Sequence, residues 1–183
     1  MEPMKEKPCT LFFGDEMRYG LISNFRRSWS KVGERTVIDS QQSFENRYLF
    51  SAVAPLSGES FHLSGVEGFD NEAAHTFPLE LKKKHPDETV IIVWDNAPCH
   101  RPLIHRQIPG LIVIFLPPYS PELNPAERFF EELRKATANR IFKSIEEQEH
   151  VIEEKLNTLA DDTEGMQRLF GYSWIKRQWE GVV

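Results

Sequence analysis

VIIVWDNAPCHRP (Val90–Pro102) and LIVIFLPPYSPELNPAERFFEEL (Leu111–Leu133) decide the fold of this chain. In the first stretch an apolar, β-branched run over Thr89–Trp94 stops at Asp95. In the second, the run Leu111–Leu116 stops at a double proline, and the segment that follows carries Glu127. Continuous apolar runs of this length predict strands buried on both faces, and hence a parallel sheet covered by helices. Upstream, TLFFGDE (Thr10–Glu16) ends a third apolar run in two acids. Three acids at the edges of predicted core elements predict a metal-binding carboxylate cluster, as two-metal phosphoryl transfer requires.

Around these runs the chain alternates. Residues 10–16 predict a strand that ends in its acids, and Ser28–Ile38 and Arg47–Ala54 predict two more. Asp39–Asn46 reads as a polar connection and Pro55–Glu59 as a turn. Asn71–Lys84 has helical length, with Ala74, Phe77 and Leu81 on one face and Pro78 within it. Pro102–Gln107 predicts a short helix. Pro117–Pro125 holds four prolines and predicts a loop of fixed shape. Asn124 is a good N-cap for a helix that starts at Pro125 and runs to about Phe142, burying Ala126, Phe130, Leu133 and Thr137. An acidic helix is expected over Ile145–Leu159. A short amphipathic helix is expected over Gly165–Trp179, its Phe170, Tyr172, Trp174 and Trp179 packed on the core. The order is β-β-β-α-β-α-β-α-α. It describes an α/β fold in which a three-strand antiparallel meander precedes alternating strands and helices, giving a mixed five-stranded sheet flanked by helices. The expected divisions are an N-terminal tail over 1–9, a catalytic domain over 10–160 and a helical tail over 161–183.

Composition narrows the classes. The chain has 183 residues, enough for one domain with a real core, and its thirteen Phe and four Trp rule against a disordered chain. No apolar run reaches the roughly 20 residues of a membrane helix, so no membrane role is expected. Two cysteines, Cys9 and Cys99, build neither a disulfide framework nor a zinc site, and an intracellular setting is expected. The net charge of −6 argues against a dedicated nucleic-acid-binding module. It hides local basic stretches, however: Arg26, Arg27, Lys31 and Arg35; Arg101, His105 and Arg106; and Arg128, Arg134, Lys135, Arg140 and Lys143.

Each acid has an ordinary alternative. Asp95-Asn96 is a common turn pair after a strand. Asp15 and Glu16 point to opposite faces of a strand, so only one of them faces a given site. Glu127 stands three residues after Asn124, where an acid can simply complete a helix cap. Glu131 and Glu132 are rivals from the same helix. Hard oxygen ligands without cysteine suit Mg²⁺ or Mn²⁺. The six histidines show no zinc spacing; His100, five residues after Asp95, is the one of interest.

Here the sequence resembles the DDE-type transposases of the IS630/Tc1/mariner superfamily. Asp95-Asn96-Ala97-x-x-His100 is similar to the family's second-aspartate motif. Leu116-Pro-Pro-Tyr-Ser-Pro-Glu-Leu-Asn-Pro-Ala-Glu127 is similar to its third-acid motif almost residue for residue. The 31 residues between Asp95 and Glu127 match the family's spacing. Asp15-Glu16 after an apolar strand, with Trp29-x-x-x-Gly33 beyond, fits the first motif. The resemblance spans Leu11 to about Ile141. Phe130 departs from it, since the family often carries Trp there.

The resemblance implies an RNase H-like fold and Asp15, Asp95 and Glu127 as the metal-binding catalytic triad. It ranks Asp15 over Glu16 and Glu127 over Glu131. It implies a transposase that cleaves DNA and transfers strands with two Mg²⁺ or Mn²⁺ ions about 4 Å apart, Asp95 serving both. Asn96 and His100 would support the site, and Arg26, Arg27, Lys31 and Arg128 would contact DNA phosphates. The implied partners are transposon ends and target DNA, and a second copy of the chain. Such transposases also carry N-terminal helix-turn-helix domains. With few residues before the first strand, the expectation is a catalytic domain whose DNA-reading part was removed or is encoded separately. An RNase H-fold nuclease that cleaves without joining, and a non-catalytic remnant that binds DNA or a transposase, are the alternatives. A phosphatase-like hydrolase with Asp15 as nucleophile lacks the second acid it would need two residues on, where Met17 stands.

Overall fold

The computed structural model describes residues 8–102 and 108–181. Five strands form one mixed sheet in the order β3-β2-β1-β4-β5. The strands are β1 (Cys9–Ile22), β2 (Gln42–Val53), β3 (Ser60–Val66), β4 (Thr89–Trp94) and β5 (Leu111–Phe115). β1, β2 and β3 pair antiparallel as a meander, and β4 and β5 add on the other side of β1 in parallel. The helices are α1 (Asn71–Lys84), α2 (Ala126–Thr137), α3 (Ile145–Ala160), α4 (Thr163–Phe170) and α5 (Ser173–Glu180). Cys9 and Cys99 are free thiols. No described helix is long and apolar enough to cross a membrane.

Strand alternation sorts the core into two layers. Phe12, Phe50, Ile92 and Trp94 meet Phe77 and Leu81 of α1 on one face. Phe13, Met17, Leu49 and Val53 meet Phe129, Phe130 and Leu133 of α2, and beyond them Ile145, Ile152, Phe170 and Ile175, on the other. α1 occupies the residues that its apolar spacing predicts. Asp70 caps it by accepting the Glu72 and Ala73 N–H groups, and Lys82–Lys84 complement its C-terminus. α3 matches its expected span to within a residue and is capped by Ser144.

The meander differs from its expected form in three ways. β1 does not end at its acids but continues to Ile22, because β2 pairs with it along that whole length. On the other side of β1, β4 pairs with it only over Cys9–Phe13. Asp15 therefore lies mid-strand, yet just beyond the last parallel pair, where one side of β1 is open. Second, Ser28–Ile38 is not a strand but part of a long connection whose Trp29, Val32 and Val37 are 103 %, 106 % and 89 % exposed. Its alternating side chains meet no partner strand, and Gly33 turns the chain at φ 89°. The expected polar connection instead supplies the start of β2, from Gln42 opposite Ile22, because cross-strand pairing outweighs the propensity of single residues. Third, Ser60–Val66 forms β3, an edge strand that its Ser and Gly content conceals.

The other differences are local. α2 stops at Thr137, not near Phe142. Asn139 adopts φ 56°, and its amide side chain bonds both backbone groups of Arg26, pinning the helix end to the β1–β2 connection. The C-terminal segment makes two helices rather than one, broken at Gly171, where a Cβ would lie 2.2 Å from the Gln167 carbonyl oxygen. β5 is a half-exposed edge rather than a buried strand, with Ile112 and Ile114 each 47 % exposed. The expected helix at Pro102–Gln107 falls, except for Pro102, outside the described residues, as do His105 and Arg106.

Candidate active site

The open side of β1, the end of β4 and the start of α2 converge on one cleft. Asp15, Asp95 and Glu127 line a cavity of about 140 Å³ there, with Leu116, Pro117, Tyr119, Ser120, Pro121 and Asn124. The proline-rich loop forms one wall. Tyr119 sits in the left-handed region at φ 58° and is fully exposed at the mouth. A 3-10 turn at Pro121–Leu123 leads into α2.

Asn124 joins the walls. Its Oδ1 accepts the Ala126 N–H at 3.1 Å, and its Nδ2 donates to the Gly14 carbonyl at 3.0 Å. The cap of α2 is thereby bonded to the residue before Asp15. Its own N–H goes to the Pro121 carbonyl, so Glu127 does not complete the capping box considered from sequence. Pro125 has helical dihedrals, although the helix proper starts one residue later. Glu127 stands in the first turn of α2, half exposed, 3.7 Å from Arg134 Nη1. Arg134 also reaches Glu131.

Asp15 is short of compensation. Its Oδ1 accepts the Glu16 N–H at 2.9 Å. Burial, then repulsion from Glu16, Glu127 and Asp95, pushes its carboxyl up to about 8. Asp95 is the opposite case. The His100 imidazole on its Oδ1 at 2.7 Å, aided by the Ala97 N–H at 3.1 Å, holds it below the usual carboxylate range despite partial burial. Burial alone would lower His100, but Asp95 and Glu16 together raise it to about 9. Glu16 itself, 7 % exposed, is pushed up by burial although His100 lies 3.1 Å away.

The residues fit a divalent cation. Three carboxylates and no sulfur make a hard oxygen donor set, and Asp15 is raised partly by neighbouring acids that a cation would offset. Glu16, Asp95 and His100 also bring ligand atoms within 4.8 Å of one another. In that group both ring nitrogens of His100 already face carboxylate oxygens, whereas a ligating histidine needs a free lone pair.

The other expected site residues are scattered. Asn96 turns away from the cleft, its Oδ1 accepting from Arg101 Nε at 3.1 Å. Arg26 is bound to Glu131 at 2.6 Å. Arg27 and Lys31 are exposed on the β1–β2 connection. Arg128 lies 4.6 Å over the Tyr172 ring. Sequence reasoning missed the bond from Asn124 to Gly14, the Glu16–His100 contact and Tyr119 at the mouth. Of these, Asn124 carried a signal as a helix cap and His100 by its spacing from Asp95.

Residues 10–149 match the family described as DDE superfamily endonuclease. The uncharacterized protein y4pE/y4sA of Sinorhizobium fredii (strain NBRC 101917 / NGR234) is 31% identical over 102 residues, which is 55% of this chain and 75% of that protein. Among solved structures, the Mos1 mariner paired end complex with Mn is similar with TM-score 0.56 and 19% identity, covering 89% of this chain and 56% of that one. The Mos1 strand transfer complex is similar with TM-score 0.53 and 18% identity, covering 90% and 55%. The likeness is one of fold. The chain spans about half the length of the mariner transposase chains it matches.

Proposed function

The chain belongs to the DDE superfamily endonucleases, and from that membership we propose that it is the catalytic domain of a DNA transposase, cutting DNA and joining the cut end to a target. The observation that carries the proposal is the shared cleft: Asp15, Asp95 and Glu127 come from three separate elements and line one cavity. Residues 10–160 are the catalytic domain in this reading. Residues 161–183 are its helical tail, supported by Met166, Phe170 and Ile175, which share a core with α2 and α3.

Asp15, Asp95 and Glu127 would hold two Mg²⁺ or Mn²⁺ ions. Such ions supply Lewis acidity and neutralise charge at a phosphate under in-line attack. Asp95, already ionised by its contact with His100, is the acid best prepared for both ions. Asp15 and Glu127 flank it from β1 and α2. The proline-rich loop bounds the cleft and limits how a phosphodiester can enter. In cleavage, a water oxygen forms the new P–O bond while the bond to the 3′-oxygen breaks, leaving a 3′-hydroxyl. In joining, the oxygen of that hydroxyl forms the new bond to a target phosphorus while the bond from that phosphorus to the target's own 3′-oxygen breaks, leaving a target 3′-hydroxyl that takes up the proton. Neither reaction passes through a protein ester, so no serine or tyrosine nucleophile is needed. Arg27 and Lys31, exposed on the β1–β2 connection, and Arg128 serve as phosphate contacts that orient DNA without reading it. Arg26 would first have to leave Glu131. A second copy of the chain, and a separate DNA-reading domain or chain, belong to the same proposal.

A joining assay tests it. A labelled duplex with a recessed 3′-hydroxyl is incubated with target plasmid, protein and Mn²⁺. Label transferred to plasmid by wild type, and lost in Asp95→Asn, is the expected result. Plasmid nicked without transfer of label would make the protein a nuclease that cleaves without joining. Neither product from folded, Mn²⁺-binding wild type would overturn the catalytic reading.

A further inference from the structure

We infer that Glu16 and His100 form a buried positioning pair that fixes the Asp95 carboxylate in the cleft, so that the acid beside Asp15 serves the site from the opposite face of the sheet. The inference rests on the reading of Asp15, Asp95 and Glu127 as the metal-holding triad.

Asp15 and Glu16 are consecutive in β1, so their side chains leave opposite faces. Asp15 lines the cleft. Glu16 turns to the α1 side, where its Oε1 lies 3.1 Å from His100 Nε2. The other ring nitrogen of His100 is 2.7 Å from Asp95 Oδ1. The ring is fully buried. It stacks on Trp94 at 4.1 Å and 26° and lies perpendicular to Phe69 at 5.8 Å and 83°. With Trp94 stacked on one face and a carboxylate oxygen close to each ring nitrogen, the imidazole cannot turn without breaking core contacts. Asp95 follows the last residue of β4 and is itself half exposed, so nothing in its own burial would hold its carboxylate still. His100 supplies that hold together with the Ala97 N–H, and Glu16 sets the ring. Asp15 and Asp95 are thus linked across the sheet: Glu16 follows Asp15 in β1, and His100 stands between Glu16 and Asp95. Groups that orient metal-holding side chains in this way typically change metal affinity about 10–100-fold when removed.

Mn²⁺ binding to the full chain, followed by electron paramagnetic resonance, tests the pair. The proteins are wild type, Asp95→Asn, Glu16→Gln, and His100→Gly with and without added imidazole, each checked for folding by circular dichroism. Glu16→Gln should bind Mn²⁺ about tenfold more weakly although Glu16 does not face the cleft. His100→Gly should weaken similarly and recover with imidazole, which should leave wild type unchanged. Electron spin echo modulation of the wild-type complex should show no nitrogen coupled to Mn²⁺. Wild-type affinity in Glu16→Gln, or a nitrogen coupling that disappears in His100→Gly, would overturn the positioning role; the second result would make His100 a ligand. If His100→Gly does not fold, Glu16→Gln and the wild-type spectrum decide alone. No Mn²⁺ binding by wild type, or wild-type affinity in Asp95→Asn, would instead sink the triad itself.

Discussion

Asp15 stands between a glycine that is buried and a glutamate that faces the other side of the sheet, and its own carboxyl has few partners. Its folded value of about 8 against an ordinary 3.8 has a definite consequence. Without a cation, the folded chain keeps a proton that the unfolded chain releases. The stability from this group is complete below its ordinary value and is lost as pH rises toward 8. His100, raised from 6.5 to about 9, has the same sign over a later window. Metal-free wild type should therefore melt at a lower temperature at about pH 8 than at about pH 5. Asp15→Asn should flatten that slope, and Mn²⁺ should raise the wild-type melting temperature more at the higher pH. A slope identical in Asp15→Asn would contradict the assignment. At this scale the sequence was legible in part. The three acids proposed as the triad were candidates because each follows an apolar run or opens a helix, but only the family resemblance ranked Asp15 over Glu16 and Glu127 over Glu131. Glu16 was known only as the residue on the wrong face, since nothing in a strand's sequence says what lies beneath it.

The elements hold the acids in relation to one another, and Asn124 is where two of them are tied. Asn124→Ala removes a helix cap and leaves the Gly14 carbonyl without its partner. It should cost about 1–3 kcal/mol in urea unfolding. It should also weaken Mn²⁺ binding, because Glu127 would lose its fixed relation to Asp15. A stability change without a change in Mn²⁺ affinity would separate the cap from the site. Trp29→Ala should change stability by less than about 0.5 kcal/mol, as the side chain is fully exposed; a larger loss in the same unfolding experiment would mean that the connection packs on the body. Helices were read well where apolar spacing is clear, as for α1 over Asn71–Lys84. Strands were read poorly where pairing decides. Ser28–Ile38 alternates but has no partner, whereas Gln42–Asn46 is polar but lies opposite β1. Helix ends set from afar were also invisible: Asn139 stops α2 by binding Arg26, 113 residues away in sequence.

For the whole molecule, an excess of acids must be reconciled with the polyanionic substrate proposed for it. The net charge is −6, yet the β1–β2 connection presents Arg27 and Lys31 to solvent. If these residues meet phosphates, replacing each with Ala should lower the slope of log K against log salt by about 0.9 per lost contact, and weaken binding equally for unrelated duplexes. Fluorescence anisotropy across a salt series measures this, and an unchanged slope would remove both residues from the interface. The class, a mixed five-stranded sheet flanked by helices, was legible because the runs at Thr89–Trp94 and Leu111–Leu116 read as parallel strands beside a meander, although Ser60–Val66 rather than Ser28–Ile38 completes that meander. The most direct measurement is Mn²⁺-dependent nicking of supercoiled plasmid by wild type, Glu127→Gln and Glu131→Gln, side by side with a chelator control. The account predicts nicking by wild type and by Glu131→Gln, and a loss of about 10² or more in Glu127→Gln. Wild-type nicking by folded Glu127→Gln would contradict it.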